Sequence, residues 1–304
     1  MANACDVAIV GGGAAGLSAA ILLGRCRRHV ALFDMGAPRN QASRAVHGLL
    51  GHEGRAPGEL LAIARNELAR YETVMLCSDL VTAIARSGCC FSVTCESGST
   101  FSARKILLTT GLIDDVPCLE GIERLYGRSV HHCPYCDGFE HRDQPLAIYG
   151  SGDKGAGLAL MMKQWSSDVL LFTDDQAAVS ADMAERLDQQ SIEICSEQIA
   201  RLEGTEDGAL KGIRLKSGRV IERSAMFFST GSRQGSNLSE KLGCRRDDKG
   251  GIVTDPVTEE SSIPGIYVAG DASRDVLLVA VAIAEGAKAG VAINRALLRE
   301  DGLG

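Results

Sequence analysis

Two cysteines with two residues between them carry the most chemical information in this chain. Cys133 and Cys136 lie in the segment His-His-Cys-Pro-Tyr-Cys-Asp-Gly, residues 131–138. Cysteines at this spacing can close a small disulfide ring and open it again, which suits a redox pair better than a structural crosslink. The spacing alone leaves three interpretations open: a redox pair, a metal site and an incidental pairing.

A zinc site is the main chemical alternative to a redox pair. The segment offers four candidate ligands, which are His131, His132, Cys133 and Cys136. The sequence contains no second cysteine pair at this spacing, and a thiol locked on zinc could not turn over. The sequence therefore predicts no metal site, and the flanking segments indicate what the cysteines react with.

A glycine-rich loop near the N-terminus predicts a dinucleotide site. Gly11 permits a tight turn, Gly13 lets the backbone approach a pyrophosphate, and Gly16 lets helix and strand pack closely. Free N–H groups at the start of the following helix suit the phosphates. The loop follows a short apolar strand pattern at residues 6–10 and reads Gly11-Gly12-Gly13-Ala14-Ala15-Gly16.

The second strand of this motif ends in an acidic residue. Asp34 follows the strand pattern at residues 29–33 and comes 23 residues after Gly11. An acidic side chain at this distance accepts hydrogen bonds from ribose hydroxyls. The sequence therefore predicts that Asp34 binds the ribose of the cofactor.

The strand–loop–helix pattern recurs in the middle of the chain. A strand at residues 146–149 leads into a second glycine loop at 150–155, and a further strand ends in Asp174-Asp175. Much later, residues 265–271 form a strand ending in Gly-Asp, before a long apolar helix at about residues 276–298. We predict an α/β fold with two Rossmann-like nucleotide-binding domains, the second inserted into the first.

The order of these motifs resembles that of the low-molecular-weight thioredoxin reductases over nearly the whole chain. The resemblance implies an FAD-binding domain at residues 1–115 and 246–304. It also implies an inserted NAD(P)-type domain at residues 116–245 that carries the redox pair. The matching motifs, in order, are the first glycine loop, a strand ending in Thr110-Gly111, CxxC-Asp-Gly, the second glycine loop, a strand ending in Thr230-Gly231, and Gly270-Asp271.

The resemblance also assigns residues to the FAD site. In the family, the aspartate of the Gly-Asp motif contacts the ribityl chain of the flavin, which points to Asp271. Arg39, Asn40 and His47 match the region that contacts the middle of the cofactor in the family. For these three residues, a loop without a binding role is the alternative. Besides the first glycine loop, the candidates are Asp34, Arg39, Asn40, His47, Thr110, Gly111, Gly270, Asp271, Val279 and Ala280.

At the redox pair, the resemblance gives each residue a separate role. Cys133 matches the outer thiol, which exchanges with the sulfur of the substrate, and Cys136 matches the inner thiol, which exchanges electrons with the flavin. Asp137 matches the acid/base residue of the family, with a helix cap as its structural alternative. His132, ahead of His131, is a further candidate because imidazole titrates near neutral pH.

Two departures from the family pattern concern the nicotinamide. Where members that use NADPH carry His-Arg-Arg, this chain has residues 173–176, Thr-Asp-Asp-Gln, whose carboxylates would repel a 2′-phosphate. NADPH is therefore a poor fit, and either NADH or no nicotinamide fits better. Where members carry Arg-Gln-Ala near the flavin, this chain has Leu278-Val279-Ala280, which forms either a buried helix face or an apolar wall for a small substrate.

In these two departures the chain resembles one branch of the family. The members of this branch are flavin-dependent dithiol oxidases that close disulfides in gliotoxin, holomycin and romidepsin. The resemblance implies oxidation of a small-molecule dithiol without NADPH, with O2 as the electron acceptor. The alternative is reduction of a thioredoxin-like protein by NADH or NADPH. A third interpretation is a redox sensor that binds FAD and a partner without turnover.

Composition limits the partners and the location. A net charge of −7 over 304 residues argues against nucleic acid or an anionic membrane as the main partner. No apolar run reaches the roughly 20 residues that span a bilayer. The N-terminus lacks a basic leader, so we expect a cytoplasmic protein with its other cysteines reduced. A homodimer is expected from the resemblance alone.

Overall fold

The computed structural model describes residues 3–174, 176, 178–273 and 276–304. The strands alternate with helices along much of the chain, as in α/β proteins. In chain order the strands are β1 (Asn3–Val10), β2 (Val30–Phe33), β3 (Val74–Cys77), β4 (Val81–Ser87), β5 (Cys90–Cys95), β6 (Thr100–Leu108), β7 (Leu112–Asp114), β8 (Val130–His131), β9 (Leu146–Tyr149), β10 (Val169–Phe172), β11 (Glu193–Cys195), β12 (Ile199–Gly204), β13 (Leu210–Leu215), β14 (Val220–Glu222), β15 (Ala225–Phe228), β16 (Ser232–Gln234) and β17 (Ile266–Val268).

The helices range from single turns to a helix of 22 residues near the C-terminus. Two short 3-10 turns, Phe139–His141 and Asp271–Ser273, accompany them. The α-helices are α1 (Ala14–Arg25), α2 (Pro57–Leu68), α3 (Ile122–Leu125), α4 (Pro134–Asp137), α5 (Gly152–Met162), α6 (Ala181–Gln189), α7 (Leu238–Lys241) and α8 (Val279–Glu300).

The first of two compact units contains the described residues up to Gln41, together with Leu49–Ile113 and Arg233–Gly304. Its sheet has the order β3-β2-β1-β6-β5-β4, with β17 pairing β6. The pairs among β3, β2, β1, β6 and β17 are parallel. Strands β2 and β17 and the carboxyl ends of β1 and β6 are buried, as apolar parallel strands are when both faces are covered, whereas the edge strand β3 is partly exposed. Helices α1 and α8 pack closely because Gly286 has no side chain. A Cβ at that position would collide with the backbone of Ala15.

The second unit contains Ala42–Gly48 and Asp114–Ser232. Its main sheet is parallel, with the order β11-β10-β9-β15-β8. A separate antiparallel sheet contains β12, β13 and β14. Strand β8 lies at the edge of the parallel sheet and runs directly into the segment of Cys133 and Cys136, so the carboxyl end of that strand positions the redox pair.

The architecture confirms the predicted α/β fold with Rossmann-like units. The division of the chain into units differs from the predicted domains at two places. Residues 42–48 lie in the second unit, and the second crossing lies at 232/233 rather than 245/246. Residues 233–245 belong to the first unit because Leu238 and Cys244 are buried in its core. Among the described residues, no helix is both long and apolar enough to cross a membrane.

Candidate active site

The first glycine loop joins β1 to α1 and leaves an open space at one position. Gly11 has a φ of +112°, and a side chain there would collide with the carbonyl oxygen of Thr109. The hydroxyl of Thr109 donates to the Gly11 carbonyl oxygen at 2.6 Å and fixes the turn. Gly13 precedes α1, and a Cβ built there would have no atom within 4 Å. Because the first turn of α1 has free N–H groups, this open space suits a phosphate.

Asp34 lies against the glycine loop, as expected for a ribose ligand. A side chain at Gly12 would collide with the carboxylate of Asp34. One carboxylate oxygen accepts from Arg65 of α2 at 2.7 Å, and the other accepts from the backbone N–H of Gly36 at 3.0 Å. Each oxygen keeps a lone pair for a ribose hydroxyl. Sequence reasoning missed Arg65, because the packing of α2 and not a motif places it here.

The structure brings together two predicted cofactor residues that are 232 positions apart in sequence. Arg39 donates to the Asp271 carboxylate at 2.7 Å, and the two side chains are only 14% and 21% exposed. The turn that carries Asp271 is held by Glu285 of α8, which is 6% exposed and accepts from the Gly270 N–H at 2.6 Å. Sequence reasoning missed Glu285, because no motif marks this position of α8.

The Arg39–Asp271 pair gives a first testable prediction. Asp271→Asn is expected to destabilise the first unit by ~1–3 kcal/mol, because it leaves a partly buried guanidinium without its charged partner. Thermal unfolding of the flavin-free protein measures the loss. Asp248→Asn, at an exposed loop position, is the control. Equal unfolding temperatures for wild type and Asp271→Asn would show that the ion pair does not contribute to the stability of the protein.

The other predicted cofactor residues occupy separate places. Asn40 lies in a turn after β2, Thr110 and Gly111 follow β6, and Val279 and Ala280 form the half-buried start of α8. His47 instead belongs to the second unit, where its Nε2 lies 3.7 Å from Glu140 Oε1. In the structure His47 therefore contacts the segment that follows the redox pair.

The two cysteines of the redox pair are joined by a disulfide bond. Cys133 caps α4, Pro134 occupies the first helical position, and the Cys133 sulfur accepts from the Cys136 N–H at 3.1 Å. A backbone N–H directed at this sulfur favours its thiolate form once the pair is reduced. Both cysteines are half-buried, whereas Tyr135 between them is 69% exposed.

A buried histidine contacts the predicted acid/base residue. His131 Nδ1 lies 3.3 Å from Asp137 Oδ1, and His131 Nε2 lies 3.1 Å from His141 Nε2. Both imidazole rings pack on Phe227 of β15. Burial lowers the pKa of His141, and the neighbouring His131 lowers it further whenever His131 carries a positive charge.

His132, the predicted histidine, points to a different carboxylate. Its Nε2 lies 3.8 Å from Asp114 Oδ2, and its Nδ1 lies 3.4 Å from the hydroxyl of Tyr126. Neighbouring residues of an extended chain point to opposite sides. Because His131 ends β8 and His132 follows it, His131 and not His132 lies against Asp137.

The chain matches one protein family over most of its length. The model of the family described as "Pyridine nucleotide-disulphide oxidoreductase" matches residues 5–286. The chain belongs to this family. The family and its thioredoxin reductase relatives make the protein a flavin-dependent disulfide oxidoreductase.

Individual members of the family match over nearly their full length. Thioredoxin reductase tcpT of Claviceps purpurea is 27% identical over 307 residues, covering 98% of this chain and 96% of its own. The crystal structure of HlmI is 34% identical with a TM-score of 0.93, covering 98% of this chain and 94% of its own. The crystal structure of an oxidoreductase from Agrobacterium tumefaciens is 33% identical with a TM-score of 0.89, covering 98% and 99%.

The first unit fits the FAD that this family carries. The open space at Gly13 accommodates a pyrophosphate, and Asp34 lies beside it with free lone pairs. The Arg39–Asp271 pair presents polar groups at a second place in the same unit. These features match the chemistry of a dinucleotide that has a diphosphate and two polyol parts.

The end of β10 in the second unit carries an acidic side chain that is held by its neighbours. Asp174 follows β10, where a 2′-phosphate of NADPH would bind in the family. Its carboxylate accepts from the Ile199 N–H at 2.7 Å and from the Tyr149 hydroxyl at 3.2 Å. Burial and this carboxylate raise the pKa of Tyr149 to about 12. The carboxylate is thus held in place by its neighbours, while Asp175 lies outside the described residues.

Proposed function

We propose that the protein oxidises a small-molecule dithiol to a disulfide, with O2 as the final electron acceptor and without NADPH. The observation that carries this proposal is the anchored Asp174 carboxylate, which replaces an arginine of the family pattern. A carboxylate held in place repels the dianionic 2′-phosphate and offers no bidentate donor. With NADPH disfavoured in this way, we propose that the electrons enter from the thiol side of the enzyme.

The redox pair supports the thiol exchange in two steps. A substrate thiol gives its proton to Asp137, and its thiolate attacks the Cys133 sulfur, so the Cys133–Cys136 bond breaks and Cys136 leaves as a thiolate. The second substrate thiol is deprotonated and attacks the substrate sulfur of the mixed disulfide. Cys133 leaves as a thiolate, the substrate disulfide is complete, and the electron pair rests on the two cysteines.

The bound cofactor closes the electron balance. When bound, FAD takes the electron pair from the two cysteines and passes it to O2. The overall reaction is substrate dithiol plus O2 giving substrate disulfide plus hydrogen peroxide. The residues that would hold FAD are Gly11, Gly13, Ala14, Ala15, Gly16, Asp34, Arg39, Asn40, Thr110, Gly111, Gly270, Asp271, Val279 and Ala280.

An open surface depression is lined in part by Tyr135 and offers a place for a small substrate, although neither cysteine lines it. It has a volume of about 540 Å3, within the range of small-molecule sites. Tyr135, which lies between the two cysteines, meets Trp165 edge-to-face with 5.9 Å between ring centroids. The other lining residues are Leu160, Met161, Lys163 and Gln164. A homodimer is proposed from the resemblance, and a cytoplasmic location from the reduced state expected of the other cysteines.

The second candidate function is reduction of a thioredoxin-like protein by NADH or NADPH. It is favoured by the second glycine loop, where a side chain at Gly155 would collide with the backbone of Gly150, as in a close strand–helix turn. Curated relatives also carry the name thioredoxin reductase. This function requires a nicotinamide to reduce the enzyme.

Oxygen consumption tests the proposal. With dithiothreitol as the dithiol, we expect one hydrogen peroxide for each O2 consumed, and at most a small fraction of that rate with NADPH as the only reductant. Cys133→Ser, which removes the attacked sulfur, should reduce the dithiol-driven rate to that of the buffer. A higher rate with NADPH plus a thioredoxin than with dithiothreitol would favour the second candidate instead.

A further inference from the structure

Two histidines connect the acid/base residue of the redox pair to the edge of the second unit. Resting on the proposed function, we propose that His131 and His141 form a relay that removes the proton Asp137 takes from the first substrate thiol, before the second thiol reacts. In this proposal His131 and His141 are positioning and proton-carrying residues, whereas Asp137 alone meets the substrate. His132 has no part in the relay.

The geometry supplies a continuous path between the three side chains. Asp137 Oδ1 lies 3.3 Å from His131 Nδ1, and His131 Nε2 lies 3.1 Å from His141 Nε2. His131 is only 5% exposed, so both of its ring nitrogens need partners, and these contacts supply them. Imidazole can take a proton on one nitrogen while it gives one from the other.

The outer end of the path favours release of the proton. His141 is half-buried in the turn Phe139–His141, whereas its neighbours Glu140 and Arg142 are exposed. Burial and the charge of His131 lower the pKa of His141, so the ring does not retain the proton. The groups that act in the opposite direction on His141 are Gln144, Asp137 and Glu140, and Phe227 is the apolar ring packed against both imidazoles.

The proposed reaction requires such a path because one substrate molecule loses two protons in succession. The first thiol leaves Asp137 protonated, and Asp137 must be a carboxylate again before the second thiol is deprotonated. Asp137 Oδ1–H passes its proton to His131 Nδ1, and His131 Nε2–H passes its own to His141 Nε2. His141 then releases a proton from Nδ1 to solvent, which restores the Asp137 carboxylate with no change in electron count. This passage leaves His131 protonated on Nδ1 and His141 on Nε2, so the relay carries one proton out per substrate and the second thiol leaves its proton on Asp137. The reverse passage returns both rings to their first tautomers when the reduction of O2 to hydrogen peroxide takes up two protons.

The test follows disulfide exchange itself and is independent of the flavin. Holoenzyme is mixed with dithiothreitol, quenched with N-ethylmaleimide, and analysed by mass spectrometry for alkylated Cys133 and Cys136. His141→Gln keeps a hydrogen-bond acceptor for His131 Nε2–H but cannot carry a proton. We expect exchange to slow about 10-fold or more at pH 7 in dilute buffer, the low end of general acid–base effects, and imidazole buffer to restore most of the rate.

A histidine outside the relay provides the control in the same exchange assay. His29→Gln, at an exposed position in the first unit, should exchange at the wild-type rate in every buffer. The relay is wrong if His141→Gln exchanges normally in dilute buffer, or if its loss is the same at all pH values and imidazole restores nothing. If the variant does not fold, a linear dependence of the wild-type rate on D2O fraction contradicts the relay, and a curved one supports it.

The absorbance of the flavin distinguishes a failure of the proposed function from a failure of the relay. Flavin absorbance is recorded in the same reactions. Normal exchange without flavin bleaching would overturn the proposed dithiol oxidation, while the buffer dependence of exchange would still decide the relay.

Discussion

Replacing Cys136 by serine is expected to abolish the bleaching of the flavin by a dithiol. Without Cys136, the Cys133–Cys136 disulfide cannot form, so the substrate thiol has no bond to attack and no leaving thiolate to displace. We expect the bleaching rate to fall about 10³-fold or more, which corresponds to ~4 kcal/mol of lost transition-state stabilisation. Stopped-flow absorbance of the anaerobic holoenzyme measures it.

A matched cysteine in the same unit controls for the loss of a thiol. Cys118 is free and exposed, so Cys118→Ser should bleach at the wild-type rate. Both variants should retain FAD, because neither cysteine lies in the first unit. Rapid bleaching of Cys136→Ser by the dithiol would mean that electrons reach the flavin by another route, and the assigned role of Cys136 would be wrong.

A valine at Gly13 is expected to yield a folded protein without flavin. The backbone at Gly13 has a φ of −75° and a ψ of −170°, which valine adopts without strain, and a Cβ there meets no atom within 4 Å. The added methyl groups would fill the space that suits the pyrophosphate. We expect FAD affinity to fall about 100-fold or more, ~2.7 kcal/mol, while loss of the glycine cap costs the flavin-free protein about 1 kcal/mol.

The chain offers a matched glycine for comparison. Gly58, in the first turn of α2, also has no atom within 4 Å of a built Cβ. Gly58→Val should therefore stay loaded with FAD. The flavin-to-protein absorbance ratio and the unfolding temperature are measured for both variants. A Gly13→Val protein that retains wild-type flavin content would remove the first glycine loop from the FAD site.

The features that the sequence predicts well are those encoded in a few adjacent residues. The first glycine loop and the Cys133–Cys136 pair depend on local turns and helix starts, so their spacing alone indicates their conformation. The late helix was expected at about residues 276–298 and begins at Val279. The predicted first residue differs from the observed one because helix termini are set by caps and contacts, which periodicity does not encode.

The features that the sequence did not predict arise from packing between distant segments. Arg65 reaches Asp34 only because α2 lies beside β2, and Glu285 reaches Gly270 only because α8 covers that turn. The contact of His131 with Asp137 depends on where β8 ends. A single-residue shift at that end would exchange the roles of His131 and His132, and no periodic pattern fixes a two-residue strand.

Anaerobic reduction of the flavin by different reductants tests the central proposal most directly. The purified holoenzyme is mixed in turn with NADPH, NADH and dithiothreitol, and the visible flavin absorbance is followed. We predict that dithiothreitol bleaches the flavin, that air restores its colour, and that NADPH leaves it oxidised over the same period. Rapid bleaching by NADPH would contradict the proposal and would make the protein a nicotinamide-driven reductase.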